Sequence, residues 1–281
     1  MEDVRIDPIL GTVVHVVGGR QARPNLPSTD CPFCVGGLEA PEPYTVRWFR
    51  NRWPAMGDDR CEVVLYTPDH GATLPSLGTS GVRAVIDLWA ERTSALGRRP
   101  DVAFVLVFEN RGAEVGATIA HPHGQVYAYD HVPSRPSRRL DAEWSPDREP
   151  GDRLVRRADG WSAWVPFAPT YPISIEVAPD RRIPDLPTMD DADRDGLAGV
   201  LVDVLGRLDR LHDRPMPYMM WLNQRPTVAD GYGDAWFNVE IVSPWRAPGV
   251  QRFIAAAEIA SDEYFNPVHP EDIAARLRGA D

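Results

Sequence analysis

Lysine is missing altogether: the 281-residue chain carries 30 basic side chains and every one is arginine. With many Ala, Pro and Asp, that absence reads as codon bias in a GC-rich genome and says little about function. Cysteine is scarce, at three residues, which excludes a disulfide framework. No run approaches the roughly 18 apolar residues of a membrane span. The stretch Met1 to Asp7 is acidic and lacks the apolar core of a signal peptide, so a cytoplasmic location is expected. Basic charge is in deficit, with a net charge of −11, which argues against a nucleic-acid partner. A small anionic ligand is still compatible where arginines gather. Arg20, Arg23, Arg50, Arg52 and Arg111 are candidates, because guanidinium grips phosphate bidentately; taken singly, each reads as a solvated surface charge. What remains is an ordinary globular composition, long enough for one large domain or two modest ones.

The most informative stretch is Phe108 to Asp130. It follows the apolar run Val102 to Val107, which reads as a buried strand. Gly112 and Gly116 then allow a tight turn and a close approach to a ligand. His121, His123 and Gln125 follow at alternate positions, so an extended backbone points all three to one face. A glycine-bearing loop leading into two histidines and a glutamine suits a phosphate site containing a nucleophile. The plainer reading is a strand end with surface histidines, which fits a lone His better than it fits His-Pro-His-Gly-Gln.

Along the chain, Ile6 to Val17 reads as a short hairpin or strand, and Cys31 to Cys34 as a knuckle between loops. Tyr44 to Phe49 and Cys61 to Tyr66 read as strands, and His70 sits at the tip of a turn. Thr79 to Leu96 has the periodicity of an amphipathic helix, with Val82, Val85, Ile86 and Trp89 on one face. Residues 131–160, dense in Pro, Arg and Asp, read as a connector. The order of elements then repeats: strands at Trp161 to Val165 and Pro172 to Ala178, a helix from Asp190 to Leu211, and strands at Tyr218 to Leu222 and Trp236 to Val242. Gly249 to Ala260 and Glu271 to Arg278 read as helices. Val102 to Asn110 overlays Tyr218 to Asn223, which suggests a duplicated unit of about 110 residues. In this overlay Asn238 and Glu240 stand where His121 and His123 stand, so the chemistry is expected in the first half. The expectation is an α+β fold. Residues 1–130 form the half with the chemistry, 131–160 link the halves, and 161–281 supply sheet and binding surface.

Cys31 and Cys34 have the spacing with which two thiolates grip a tetrahedral zinc. His70 and His121, both at turns leaving strands, are candidates for the other two ligands, although spacing alone does not assign them. Cys-x-x-Cys can otherwise be a redox pair, but that reading wants a βαβ context that is absent here. A metal bound through His121 would fix the backbone two residues before His123, a structural role.

With these residues laid out, the chain resembles the galactose-1-phosphate uridylyltransferases, the transferase branch of the histidine-triad superfamily. The resemblance rests on Arg20-Gln-Ala-Arg23-Pro24, Cys31-x-x-Cys34, Asn51-Arg-Trp-Pro, Pro68-Asp-His70, Phe108-Glu-Asn-Arg-Gly112 and His121-Pro-His123-Gly-Gln125-Val-Tyr. It implies two histidine-triad-like halves in one extended, mainly antiparallel sheet. It implies that His123 attacks the α-phosphorus of a UDP-sugar to form a uridylyl-histidine, from which a second sugar 1-phosphate takes the nucleotide in ping-pong fashion. Gln125 would hydrogen-bond a phosphate oxygen. Cys31, Cys34, His70 and His121 match the family's zinc ligands. Asn51, Asn110, Gly116 and Thr118 match positions that hold the nucleotide, and Phe49 and Trp53 the pocket for the base. Arg20 and Arg23 match an arginine pair in contact with phosphate or with the dimer partner. The family is homodimeric, and Arg252 and Glu258 resemble the partner's contribution to the sugar site. Some members carry a second metal on histidines of the second half; here Leu222, Asn238 and Glu240 stand there, so a second metal is not expected. The segment Asn223 to Ala235 departs from the family's sugar-site sequence, which leaves open galactose itself, another sugar 1-phosphate or base, or a phosphorylase or hydrolase of nucleotide sugars or dinucleoside polyphosphates.

Overall fold

The computed structural model describes residues 3–22, 30–57, 59–212, 214–228 and 232–280. A hairpin of β1 (Asp3–Ile6) and β2 (Val13–Val16) stands apart from the main sheet. The first half follows with β3 (Arg47–Arg50), β4 (Cys61–Leu65), α1 (Gly78–Gly97), β5 (Phe104–Arg111) and β6 (His123–Tyr129). Next come α2 (Ser134–Asp141) and β7 (Leu154–Ala158). The second half has β8 (Trp161–Trp164), β9 (Ile173–Pro179), α3 (Asp191–Arg210), β10 (Tyr218–Asn223) and β11 (Asn238–Ser243). The chain closes with β12 (Trp245–Ala247), β13 (Val250–Gln251), α4 (Ala256–Ser261) and α5 (Pro270–Arg278).

Nine strands form one antiparallel sheet in the order β3-β4-β6-β5-β10-β11-β9-β8-β7, and the fold is α+β. The long helices lie together on one face, where Val82, Val85, Ile86 and Trp89 of α1 and Leu197, Leu201, Val204 and Leu208 of α3 enter a common core. This is the single apolar stripe read from the sequence. The N-terminus of α3 is closed by a capping box between Asp190 and Asp193, which satisfies backbone donors that the helix cannot pair itself. Strand β4 is buried throughout because both of its faces are covered. Val64 packs under α1, while Val63 and Leu65 pack on the opposite face with Phe33 and Ala40. The unbroken apolar run in its sequence reflects this two-sided burial.

The halves meet at β5 and β10, where Tyr218 pairs with Arg111 and Trp221 with Phe108. Outward from that seam the strands correspond one to one: β5 with β10, β6 with β11, β4 with β9 and β3 with β8. The register corrects one detail of the sequence overlay. Phe108 pairs with Gln125 and Trp221 with Glu240. With Asn110 laid on Asn223, Glu240 therefore takes the place of Gln125 and Asn238 that of His123, two residues along from the overlay. Such a slip of two keeps the facing and is invisible to a pattern of period two.

Two further stretches differ from expectation. Within 131–160 lie α2 and an edge strand, β7, paired with β8. The tail does not form a helix from Gly249. Pro248-Gly249 closes a hairpin between β12 and β13, with Gly249 at φ +69, the left-handed conformation that Gly supplies at the third position of a tight turn. Helix begins only at Ala256.

Candidate active site and metal centre

Cys31, Cys34, His70 and His121 converge, with their ligand atoms all within 4.8 Å of one another. His121 Nδ1 lies 3.8 Å from Cys31 Sγ and 3.6 Å from Cys34 Sγ, and His70 Nδ1 lies 3.6 Å from Cys34 Sγ. Zinc bonds of about 2.3 Å to sulfur and about 2.0–2.1 Å to nitrogen, at tetrahedral angles, set ligand sulfur and nitrogen roughly 3.6 Å apart. Two thiols and two imidazoles at this spacing fit zinc. The surrounding bonds select the right tautomer. His121 Nε2–H donates to the Thr67 carbonyl at 2.7 Å, with the Tyr44 hydroxyl 3.0 Å away. That leaves Nδ1, the atom facing the thiols, as the lone-pair nitrogen. Burial also holds His121 below the usual imidazole range, a shift that the nearby His70 reinforces, and so favours the neutral ring a metal needs. Burial first, and then the adjacent Cys31 thiol, push Cys34 up. The Tyr44 phenol is pushed up to about 12, mainly by burial and then by the two cysteines, and it stays protonated.

His121 precedes β6, and β6 carries His123 and Gln125 outward on the face opposite α1. The wall of the adjoining cavity, about 750 Å³, includes Phe49, Asn51, Trp53, Thr118, His123 and Gln125. Strand β3 and the turn after it supply the first three, and β6 the last two. His123 Nδ1–H donates to the His121 carbonyl at 2.8 Å. This fixes the ring and leaves Nε2 as its nucleophilic nitrogen. Phe33, between the two cysteines, stacks edge-on against His123 with ring centroids 5.2 Å apart. Asn51 Nδ2 donates to Gln125 Oε1 at 3.3 Å, and the Tyr127 hydroxyl to the same oxygen at 3.4 Å. Gly124, between His123 and Gln125, has its Cα against the Tyr66 side chain, and a Cβ there would lie 2.1 Å from the Tyr66 hydroxyl oxygen.

Other expected site residues lie elsewhere. Arg20 reaches the cavity only indirectly, through Tyr127 at 3.4 Å. Asn110 on β5, and Gly116 at φ +84 in the following turn, are not part of the cavity wall. Arg252 and Glu258 form a buried ion pair with each other in the tail, also away from this wall. Arg23 lies outside the described residues. In the second half, Glu240 accepts from Asn223 at 2.8 Å and pairs with Arg135 at 2.5 Å and Arg139 at 3.1 Å. Arg139 also meets Glu176 at 3.5 Å and Asn238 at 3.1 Å. Sequence reasoning missed Phe33 and Tyr44. An apolar residue inside a Cys-x-x-Cys turn was a usable sign for Phe33; no spacing rule links Tyr44 to His121.

The fold and site together define a class: a duplicated antiparallel sheet with a histidine and a glutamine in one cavity beside a Cys2His2 cluster. The family model for the N-terminal domain of galactose-1-phosphate uridyl transferase matches residues 52–133, and that for the C-terminal domain matches residues 118–279. The chain is 32% identical to the galactose-1-phosphate uridylyltransferase of Thermotoga maritima over 312 residues, covering 99% of this chain and 98% of the relative. It is 28% identical to the ADP-glucose phosphorylase of Arabidopsis thaliana over 298 residues, covering 91% and 83%. A solved uridylyltransferase structure superposes with a TM-score of 0.87 at 27% identity, covering 100% of this chain and 98% of that one. The chain belongs to the galactose-1-phosphate uridylyltransferase family.

Proposed function

We propose that the protein transfers UMP between a UDP-hexose and a hexose 1-phosphate, galactose 1-phosphate or a close analogue, through a covalent intermediate on His123. The observation that carries this is the 2.8 Å bond from His123 Nδ1–H to the His121 carbonyl, which gives Nε2 the lone pair in a cavity with room for a nucleotide. Nε2 attacks the α-phosphorus. The Nε2–P bond forms, the bond from phosphorus to the bridging oxygen breaks, and hexose 1-phosphate leaves with that oxygen. A phosphate oxygen of the second sugar 1-phosphate then attacks phosphorus, and the Nε2–P bond breaks. The substituted imidazole is cationic, and the His121 carbonyl stabilises it through the retained Nδ1–H. Gln125 donates to a phosphoryl oxygen as charge builds. Phe49 and Trp53 take the base, and Asn51 and Thr118 hold the nucleotide beside it. Cys31, Cys34, His70 and His121 would hold zinc, which steadies the backbone at His121 and takes no part in bond making.

Brief incubation with UDP-glucose labelled in the α-phosphate should leave label on the protein. His123→Ala should carry none and should lose exchange by several orders of magnitude. A folded, metal-loaded wild-type protein that takes up no label would overturn the reading. A second reading is favoured by the likeness to an ADP-glucose phosphorylase: the same intermediate is discharged to inorganic phosphate. Label lost to phosphate but not to hexose 1-phosphates would select it.

The proposal includes a cytoplasmic homodimer. Among the described residues no helix is long and apolar enough to cross a membrane. Large apolar side chains stand in water around the Arg252–Glu258 pair, with Phe253 74%, Ile259 75% and Phe265 65% exposed. Patches of this kind mark contact surfaces, and a second copy of the chain is proposed to cover this one. Light scattering should give the mass of two chains; a monomer at working concentration would count against it.

A further inference from the structure

Gln125 can help a phosphoryl group only if its NH2 end, and not its carbonyl, faces the substrate. A primary amide fits its pocket either way round, so something must choose. The bonds around Gln125 make that choice in a fixed sequence of donors and acceptors. The backbone N–H of Trp53 donates to Asn51 Oδ1 at 2.9 Å, which turns the Asn51 NH2 toward Gln125. That group meets Gln125 Oε1 at 3.3 Å. On the other side, Arg20 Nη1 donates to the Tyr127 hydroxyl oxygen at 3.4 Å. Guanidinium has only donors, so Tyr127 must direct its own proton elsewhere, and Gln125 Oε1 lies 3.4 Å from that hydroxyl. Two donors thus converge on Oε1. A flipped amide would set NH2 against the Asn51 NH2 on one side and would forfeit the Tyr127 hydrogen bond to Oε1 on the other.

We infer that Tyr127 is a positioning residue: its hydroxyl, oriented by Arg20, acts with Asn51 to hold the Gln125 amide so that its NH2 group is offered to the phosphoryl oxygens. This rests on the role given to Gln125 above. Tyr127 lies two residues beyond Gln125 on β6, on the same face of the strand. Its ring packs edge-on against Phe108 with centroids 4.8 Å apart, so Tyr127→Phe keeps the packing and removes only the oxygen. The two contacts to Oε1 are at the long end of the hydrogen-bond range, as is common before substrate closes a site.

The test is a double-mutant cycle on UMP exchange, with wild type, Y127F, Q125A and the double variant compared for kcat and for the KM of UDP-glucose. Q125A is expected to lower kcat by roughly 100-fold or more. Y127F should lower kcat about tenfold with the UDP-glucose KM unchanged within about twofold, as for an interaction realised in the transition state. In the Q125A background Y127F should cost nothing further, because a residue acting through Gln125 has nothing left to act on. Equal losses from Y127F in both backgrounds, or none in either, would overturn the inference while leaving Gln125 in its role. Full activity in Q125A would overturn the role of Gln125 and this inference with it.

Discussion

Gly124 shows how little room the proposed reacting residues have. It stands between His123 and Gln125, and a Cβ at this position would come within 2.1 Å of the Tyr66 hydroxyl and 3.1 Å of the Phe108 carbonyl. The first contact is a clash that β6 can relieve only by lifting, and a shift of about 1 Å at a reacting group can cost roughly 100-fold in rate. Gly124→Ala should therefore lower kcat by about that factor while the zinc content stays intact. Adding Tyr66→Phe, which removes the clashing oxygen, should recover part of the loss. Steady-state kinetics of the single and double variants decide this, and an unimpaired G124A would show that the strand has slack. The shared facing of His123 and Gln125 was legible from sequence, because facing follows from a period of two; His121 stands in a bend before the strand. The tightness at Gly124 was not, because its cause lies at Tyr66, just past the end of the neighbouring strand β4. The same holds for Tyr44, whose hydroxyl meets His121 Nε2 from 77 residues away in sequence.

Three short elements build the candidate metal centre: the knuckle at Cys31 to Cys34, the turn bearing His70, and the entry to β6 at His121. Phe33 anchors the knuckle against Val63 and Leu65, but His70 is exposed, so a bound ion would tie the three elements together. Purified protein should contain about one zinc per chain by plasma mass spectrometry. Extraction with a chelator at neutral pH should lower Tm by at least about 5 °C, on the order of 2 kcal/mol for a chain of this size. Hydrogen exchange should quicken at residues 31–40 and 67–71 before it does in α1 or α3. A metal-free protein of unchanged Tm would remove the structural role from the site. The long helices and central strands were readable because each buries one periodic face. Helix α2 was not, since it contributes no buried side chain. It is held instead by Arg135 and Arg139 reaching Glu240 and Glu176 on the sheet, and local pattern cannot anticipate such tertiary pairing. The tail misled for the opposite reason: its alanine-rich segment has helix propensity, but Pro248-Gly249 spends the preceding residues on a hairpin.

At the scale of the molecule, the duplication was legible as a repeated order of elements, whereas the register between the halves was not. The seam that joins them holds a buried acid. Glu109 on β5 lies opposite Met220 on β10, is almost wholly shielded, and accepts from the Tyr218 hydroxyl at 2.9 Å. Burial pushes its carboxyl up from 4.5 to about 7, against the opposing pull of Arg111 and of the Tyr218 hydrogen bond. The folded state then binds this proton more tightly than the unfolded chain does. The stability so gained is complete below about pH 4.5 and is lost as the pH rises through 7. Glu109→Gln keeps an acceptor for Tyr218 and cannot ionise. The variant should therefore exceed the wild type in unfolding free energy at pH 8 by an amount on the order of 3 kcal/mol, and the gap should close as the pH falls toward 5. Glu176, also raised to about 7 by burial, keeps its own pH dependence in both proteins, so the variant's curve should be flatter than that of the wild type without becoming level. Calorimetry of the two proteins from pH 5 to 8 measures the difference directly. Parallel curves would mean that Glu109 ionises in the seam at no cost, and that Arg111 and Tyr218 compensate its charge in full.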